Sequence, residues 1–111
     1  MGYLLALRYV LIGQIMQRHD ISSGTHWESM IGYSRAVRIG DFVFASGTTA
    51  TNKEGNIIGI GNPYLKTIQI IKNIQIALET AGACLKDVVR TRIYVTDINN
   101  WEKIGSSLRI L

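Results

Sequence analysis

The segment from Asn62 to Gly82 constrains the fold of this chain more than any other. Asn62 is a good N-cap, and Pro63 fits the first helical position, where a missing N–H costs nothing. Leu65, Ile68, Ile71, Ile74, Ala77, Leu78 and Ala81 then recur at helical spacing. Lys66, Gln69, Lys72, Asn73 and Glu79 fill the other face, and Gly82 stands where a C-terminal glycine ends a helix. The pattern predicts an amphipathic helix of about five turns, suited to lying across one face of a sheet.

Strand signals stand on both sides of it. Tyr33–Ile39 alternates polar and apolar residues in its second half, and Phe42–Ser46 is a β-favouring run. Gly40-Asp41 between them is a turn pair, so the two runs predict a β-hairpin ending at Ser46-Gly47-Thr48. Residues 17–32 are polar and without periodicity, and are expected to form a loop leading into the hairpin. Residues 49–61, with Asn52, Gly55, Asn56, Gly59 and Gly61, are turn-rich. After the helix, Lys86–Asp97 predicts a third strand. Val89, Thr91, Ile93 and Val95 point one way, and Val88, Arg90, Arg92 and Tyr94 the other. Asp97 and Asn99 offer caps for a second helix containing Trp101 and Ile104. Hairpin, helix, strand, helix is an α+β order with helices on one face of a sheet. The third strand would carry an unpartnered edge, so part of the sheet is expected to be missing or supplied by another chain.

Composition narrows the function. At 111 residues the chain is at most one domain with a small core, for which oligomerisation adds burial. Charged residues make up 18%, against roughly 25% in an average soluble domain, which fits a surface hidden against copies of itself. The net charge of +4 comes from scattered residues with no basic run. It amounts to a weak bias toward anionic small molecules, and no nucleic-acid partner is expected. Cys84 is the single cysteine, so no internal disulfide forms, and a reducing, cytoplasmic setting fits. His19 and His26 lie seven apart without a third ligand and read as solvated loop histidines, so no metal is expected. Residues 1–15 are apolar around Arg8, shorter than the roughly 20 residues of a membrane helix. They lack a basic start and a small-residue cleavage site, so no membrane segment and no signal peptide are expected. They read either as a short packing element or as an upstream extension with Met16 the natural start. The second reading is preferred.

Three segments together resemble one family. They are Gly32-Tyr33 with Gly40-Asp41-Phe42-Val43-Phe44-Ala45-Ser46-Gly47, the helix run Gln69…Asn73-Ile74…Ala77-Leu78…Ala81-Gly82, and Asp87-Val88-Val89-Arg90-Thr91 through Ile93-Tyr94-Val95-Thr96-Asp97, followed by Trp101. In order and spacing they are similar to the RidA/YjgF family, also known as L-PSP endoribonucleases. The resemblance implies a chorismate-mutase-like α+β fold over residues 16–105, a homotrimer, and ligand clefts between subunits. It also implies hydrolysis of reactive imines and enamines to keto acids and ammonia, without cofactor or metal. Tyr33 falls at the family's cleft tyrosine, and Ser46 and Gly47 at its cleft Ser-Gly.

The departures from the family are equally specific. Its asparagine early in the second helix falls at Gly105. Its substrate-binding arginine, which grips a carboxylate by a bidentate pair, and its acidic group belong to strands after that helix. Arg109 stands in a tail, residues 106–111, unlike the family's helix continuation, and Arg90 and Arg92 are strand residues that do not substitute. The chain is therefore expected to be truncated or frameshifted, and impaired as a deaminase. A non-catalytic trimeric module binding an imine, enamine or keto acid is the alternative. The ribonuclease label has no support in paired histidines or a basic stripe. Cys84 follows the helix in a loop and reads as an incidental thiol.

Overall fold

The computed structural model describes residues 17–111. The extension expected over residues 1–15 lies outside the described residues. The architecture is α+β, with one three-stranded antiparallel sheet and helices around it.

The predicted hairpin forms as β2 (Ala36–Ile39) and β3 (Phe42–Ala45). Ala36 pairs with Ala45 and Ile39 with Phe42. Gly40 opens the two-residue turn at a φ of 54°, a positive value that glycine adopts without strain. The third strand of the sheet, however, is not the one expected. It is β1 (Arg18–Ile21), which pairs antiparallel with β2 in the order β1-β2-β3. The loop expected over residues 17–32 is thus corrected twice, because it also holds the helix α1 (His26–Ile31). β1 has one apolar residue facing the core, Ile21, and so shows no alternation to read. It becomes a strand through its partner β2 rather than through its own propensity.

The expected third strand at Lys86–Asp97 is corrected as well. A 3₁₀ turn occupies Leu85–Asp87, and no strand follows it among the described residues. A strand exists by ladder hydrogen bonds to a neighbour, and no described strand lies beside this segment. Its apolar side is consequently uncovered, with Val89 98% exposed.

The central helix, α2 (Pro63–Thr80), runs as predicted, with the Asn62 side chain accepting from the Leu65 N–H at 3.1 Å. Its C-terminal half packs on the sheet. Ala77 and Ala81 meet Ile21 and Ala36, with Val43 beside them, and these residues form the core cluster. The two alanines let the helix backbone come close to the sheet. Ile21 supplies most of the apolar area there, worth about 2–3 kcal/mol. Ile71 and Leu78 are buried too, whereas Leu65 at the other end of the expected apolar face is exposed. Arg38 of β2 closes the C-terminal end of α2, donating from Nη1 to the Ala81 carbonyl and from Nε to the Gly40 carbonyl. A cation on the last carbonyls satisfies acceptors that have no intrahelical donor. Gly82 follows at a φ of 86°, and a Cβ there would sit 2.8 Å from the same Nη1. The final helix, α3 (Trp101–Ser107), continues into a 3₁₀ turn at Leu108–Ile110, and Ile104 and Ser107 are its buried residues.

Candidate functional site

Sheet alternation separates two surfaces. Ala36, Arg38 and Val43 face α2. Val37, Ile39, Phe42 and Phe44 face the other way, and the Phe42 and Phe44 rings stack there, exposed, with centroids 6.4 Å apart. At the open end of the hairpin the structure brings Tyr33, Ser46 and Gly47 together. What joins them is Arg35. The Ser46 N–H donates to the Arg35 carbonyl at 3.0 Å, which extends the ladder one step beyond the strands. The Ser46 hydroxyl donates to the Ser34 carbonyl at 2.7 Å. The Arg35 guanidinium donates from Nη2 to the Gly47 carbonyl at 2.7 Å and lies 5.4 Å from the centre of the Tyr33 ring. One cation therefore touches both flanks of the hairpin mouth. Among the described residues, neither the Tyr33 hydroxyl nor the Gly47 N–H is hydrogen-bonded, so both are available to a ligand.

Sequence reasoning missed Arg35, which counted there as one polar position in an alternating run. The readable signal was an aromatic residue two positions before an arginine that immediately precedes the strand.

The loop after β3 is held from the helix side. The Asn73 side-chain amide donates to the carbonyls of Thr49, at 3.1 Å, and Thr51, at 2.8 Å. Gln69, one turn earlier on α2, donates to the Asn73 Oδ1 at 2.9 Å and sets the orientation of that amide. Two residues singled out from the helix run thus fix the chain leaving Ser46–Gly47.

Other groups contribute little chemistry. Glu28 is buried, and its carboxylate accepts from the backbone N–H and the hydroxyl of both Ser23 and Thr25. Burial pushes its pKa up, but those four donors outweigh it and hold the group at about 2. It is ionised throughout the neutral range and anchors the start of α1 as a capping-box acid. A groove of about 190 Å³ lies between the 93–98 segment and α3, lined by Ile93, Val95, Ile98, Trp101, Ile104, Gly105 and Leu108. None of these side chains is an acid or a base, and the indole N–H of Trp101 is their one hydrogen-bond donor, so the groove suits an apolar surface. Gly105 lines it as a bare backbone position. Arg90, Arg92 and Arg109 are all exposed and lie outside the hairpin mouth, and Cys84 is an exposed free thiol. His19 lies in β1 and His26 begins α1, both exposed, so neither is a loop histidine as expected. No group of three or more potential metal ligands occurs among the described residues, and none of their helices is long and apolar enough to cross a membrane.

An antiparallel sheet with an amphipathic helix across one face, and a polar hairpin mouth on the other, defines a small α+β domain. The family model for Endoribonuclease L-PSP matches residues 24–109, and the chain belongs to this family, the RidA/YjgF proteins. A RutC family protein of Pyrococcus abyssi is 38% identical over 73 residues, covering 66% of this chain and 58% of that protein. A RutC family protein of Saccharolobus solfataricus is 35% identical over 73 residues, with the same coverage of 66% and 58%. A solved structure from Mycobacterium tuberculosis, of the YjgF/YER057c/UK114 family, superposes with a TM-score of 0.71 at 46% identity, covering 82% of this chain and 70% of that one. The chain spans 58% of the length of these two curated relatives, less than two thirds.

Proposed function

We propose that this protein is a RidA-type deaminase, hydrolysing reactive imines and enamines to keto acids and ammonia. It acts as a cytoplasmic homotrimer and needs neither metal nor cofactor. In the reaction an enamine first takes a proton on carbon to become the iminium. Water adds to the iminium carbon, a proton passes from the added oxygen to the nitrogen, and the carbon–nitrogen bond breaks as the carbonyl forms, releasing ammonia and one proton.

One observation carries this reading. Tyr33 and Gly47 meet at a single guanidinium, which faces the Tyr33 ring and donates to the Gly47 carbonyl, so a cation stands at the hairpin mouth beside Ser46. That combination suits a small anionic substrate whose reacting carbon resembles a carbonyl. The exposed apolar face of the hairpin, with Phe42 and Phe44, supports assembly of copies around the same edge.

The test is ammonia release from an imino acid generated in situ by an amino-acid oxidase. Release above the spontaneous rate is expected, weak because Gly105 removes a polar contact that the family resemblance implies. Release at the spontaneous rate sinks the proposal. Keto-acid binding without ammonia release would instead mark a non-catalytic binding module. Light scattering on the eluting protein should give the mass of three chains, and a folded monomer would refute the trimer.

A further inference from the structure

Two arginines of the hairpin are employed very differently. Arg38 has both edges of its guanidinium committed, to Gly40 and to Ala81. Arg35 is 8% exposed, and its Nε is the one buried side-chain polar atom without a partner among the described residues. No carboxylate balances it either, because the only ion pair among the described residues joins Arg18 and Asp20. A buried charge is destabilising unless an opposite charge and hydrogen bonds compensate it. Of the five donors on this guanidinium, the protein uses one, on the Gly47 carbonyl.

We infer that Arg35 is the anion-binding group of the hairpin mouth, receiving the carboxylate of a small 2-oxo or 2-imino acid. The inference rests on the reading of Tyr33, Ser46 and Gly47 as a ligand site and adds the residue that selects charge there. The hydrogen bond to the Gly47 carbonyl holds the planar fork in one orientation, so little of the guanidinium itself is left to order when a planar carboxylate binds. The Tyr33 hydroxyl and the Gly47 N–H then lie beside the adjacent carbonyl or imine. Because the Nε is out of contact with solvent, binding includes a side-chain shift. Tyr33, half-buried and outside the strand ladder, is the group placed to make it.

The experiment titrates the full chain with pyruvate and with pyruvamide, its uncharged counterpart, following backbone amide resonances. Pyruvate should bind saturably and pyruvamide at least tenfold more weakly. Arg35→Gln should weaken pyruvate at least tenfold while leaving pyruvamide unchanged, and Arg35→Lys should restore only part of the loss. Equal pyruvate binding by wild type and Arg35→Gln overturns the inference, as does a wild type that binds no pyruvate. An equal loss for both ligands assigns Arg35 a structural role and overturns it too. Should Arg35→Gln fail to fold, competition on the wild type decides. Acetate should displace pyruvate and acetamide should not, and displacement by both refutes charge selection. Arg35-dependent pyruvate binding without ammonia release leaves this inference standing and sinks the deaminase. Ammonia release with an unchanged KM in Arg35→Gln does the reverse.

Discussion

The two ends of the described chain are built from similar residues and reach different states. Residues 18–47, with the C-terminal half of α2, close on themselves. Ile21 and Ala36 are buried under Ala77 and Ala81, and Arg38 seals the helix end. Residues 88–111 have an equally apolar sequence, yet Val89, Tyr94 and Trp101 are all exposed. The difference is not one of propensity. The first region has a ladder partner for each strand, whereas the second has a helix and an extended run with no neighbouring strand to complete a layer. Apolar content alone does not make a core, because each element needs a facing surface.

Substitutions can break this contrast or sharpen it. Ile71→Ala removes a buried side chain from α2 and is expected to destabilise by about 3 kcal/mol, read from urea unfolding followed by circular dichroism. A loss below about 1 kcal/mol would mean the helix is less firmly packed than its burial indicates.

Glu28 comes next. Its pKa is lowered from 4.5 to about 2 on folding, so its stabilisation is fully present above pH 4.5 and is lost as pH falls toward 2. The shift corresponds to about 3 kcal/mol at most. Glu28→Gln should cost about 2 kcal/mol at pH 7 and flatten stability between pH 4.5 and 2. Identical acid profiles for variant and wild type would show that the four donors do not hold the charge.

Gly82→Ala places a Cβ against the Arg38 Nη1 at a backbone φ of 86°. A loss of about 1–2 kcal/mol is expected, seen as a lower thermal midpoint. If Arg38→Ala is already present, the added loss should shrink, because the clash disappears and only the backbone strain remains.

Val89→Ser is the smallest effect. With the side chain 98% exposed, stability should change by less than about 0.5 kcal/mol. A large loss would prove that in solution this segment is covered.

Much of the hairpin and of α2 was legible in the sequence. Asn62-Pro63, the helical recurrence of Ile71, Ala77 and Leu78, and Gly40-Asp41 each determine geometry through their own backbone or spacing. β1 was not legible, because a four-residue strand with one inward apolar side chain has no period of its own. The α1 helix was missed although Thr25 and Glu28, three apart, spell a capping box and Gly32 supplies the left-handed C-terminal residue at a φ of 80°. The error at 86–97 ran the other way, since strong alternation signals a strand only when a neighbour exists to pair with it. At the hairpin mouth, Tyr33, Ser46 and Gly47 entered through family resemblance. Arg35 needed three dimensions, because its role lies in an unpaired nitrogen.

Asn73 has a consequence that reaches beyond the helix it belongs to. Its one amide carries the carbonyls of both Thr49 and Thr51. The loop leaving Ser46 is therefore positioned by the roll of α2 as well as by the sheet. Helix packing and the width of the hairpin mouth behave as a single degree of freedom, and a change that rotates α2 moves one flank of the mouth with it.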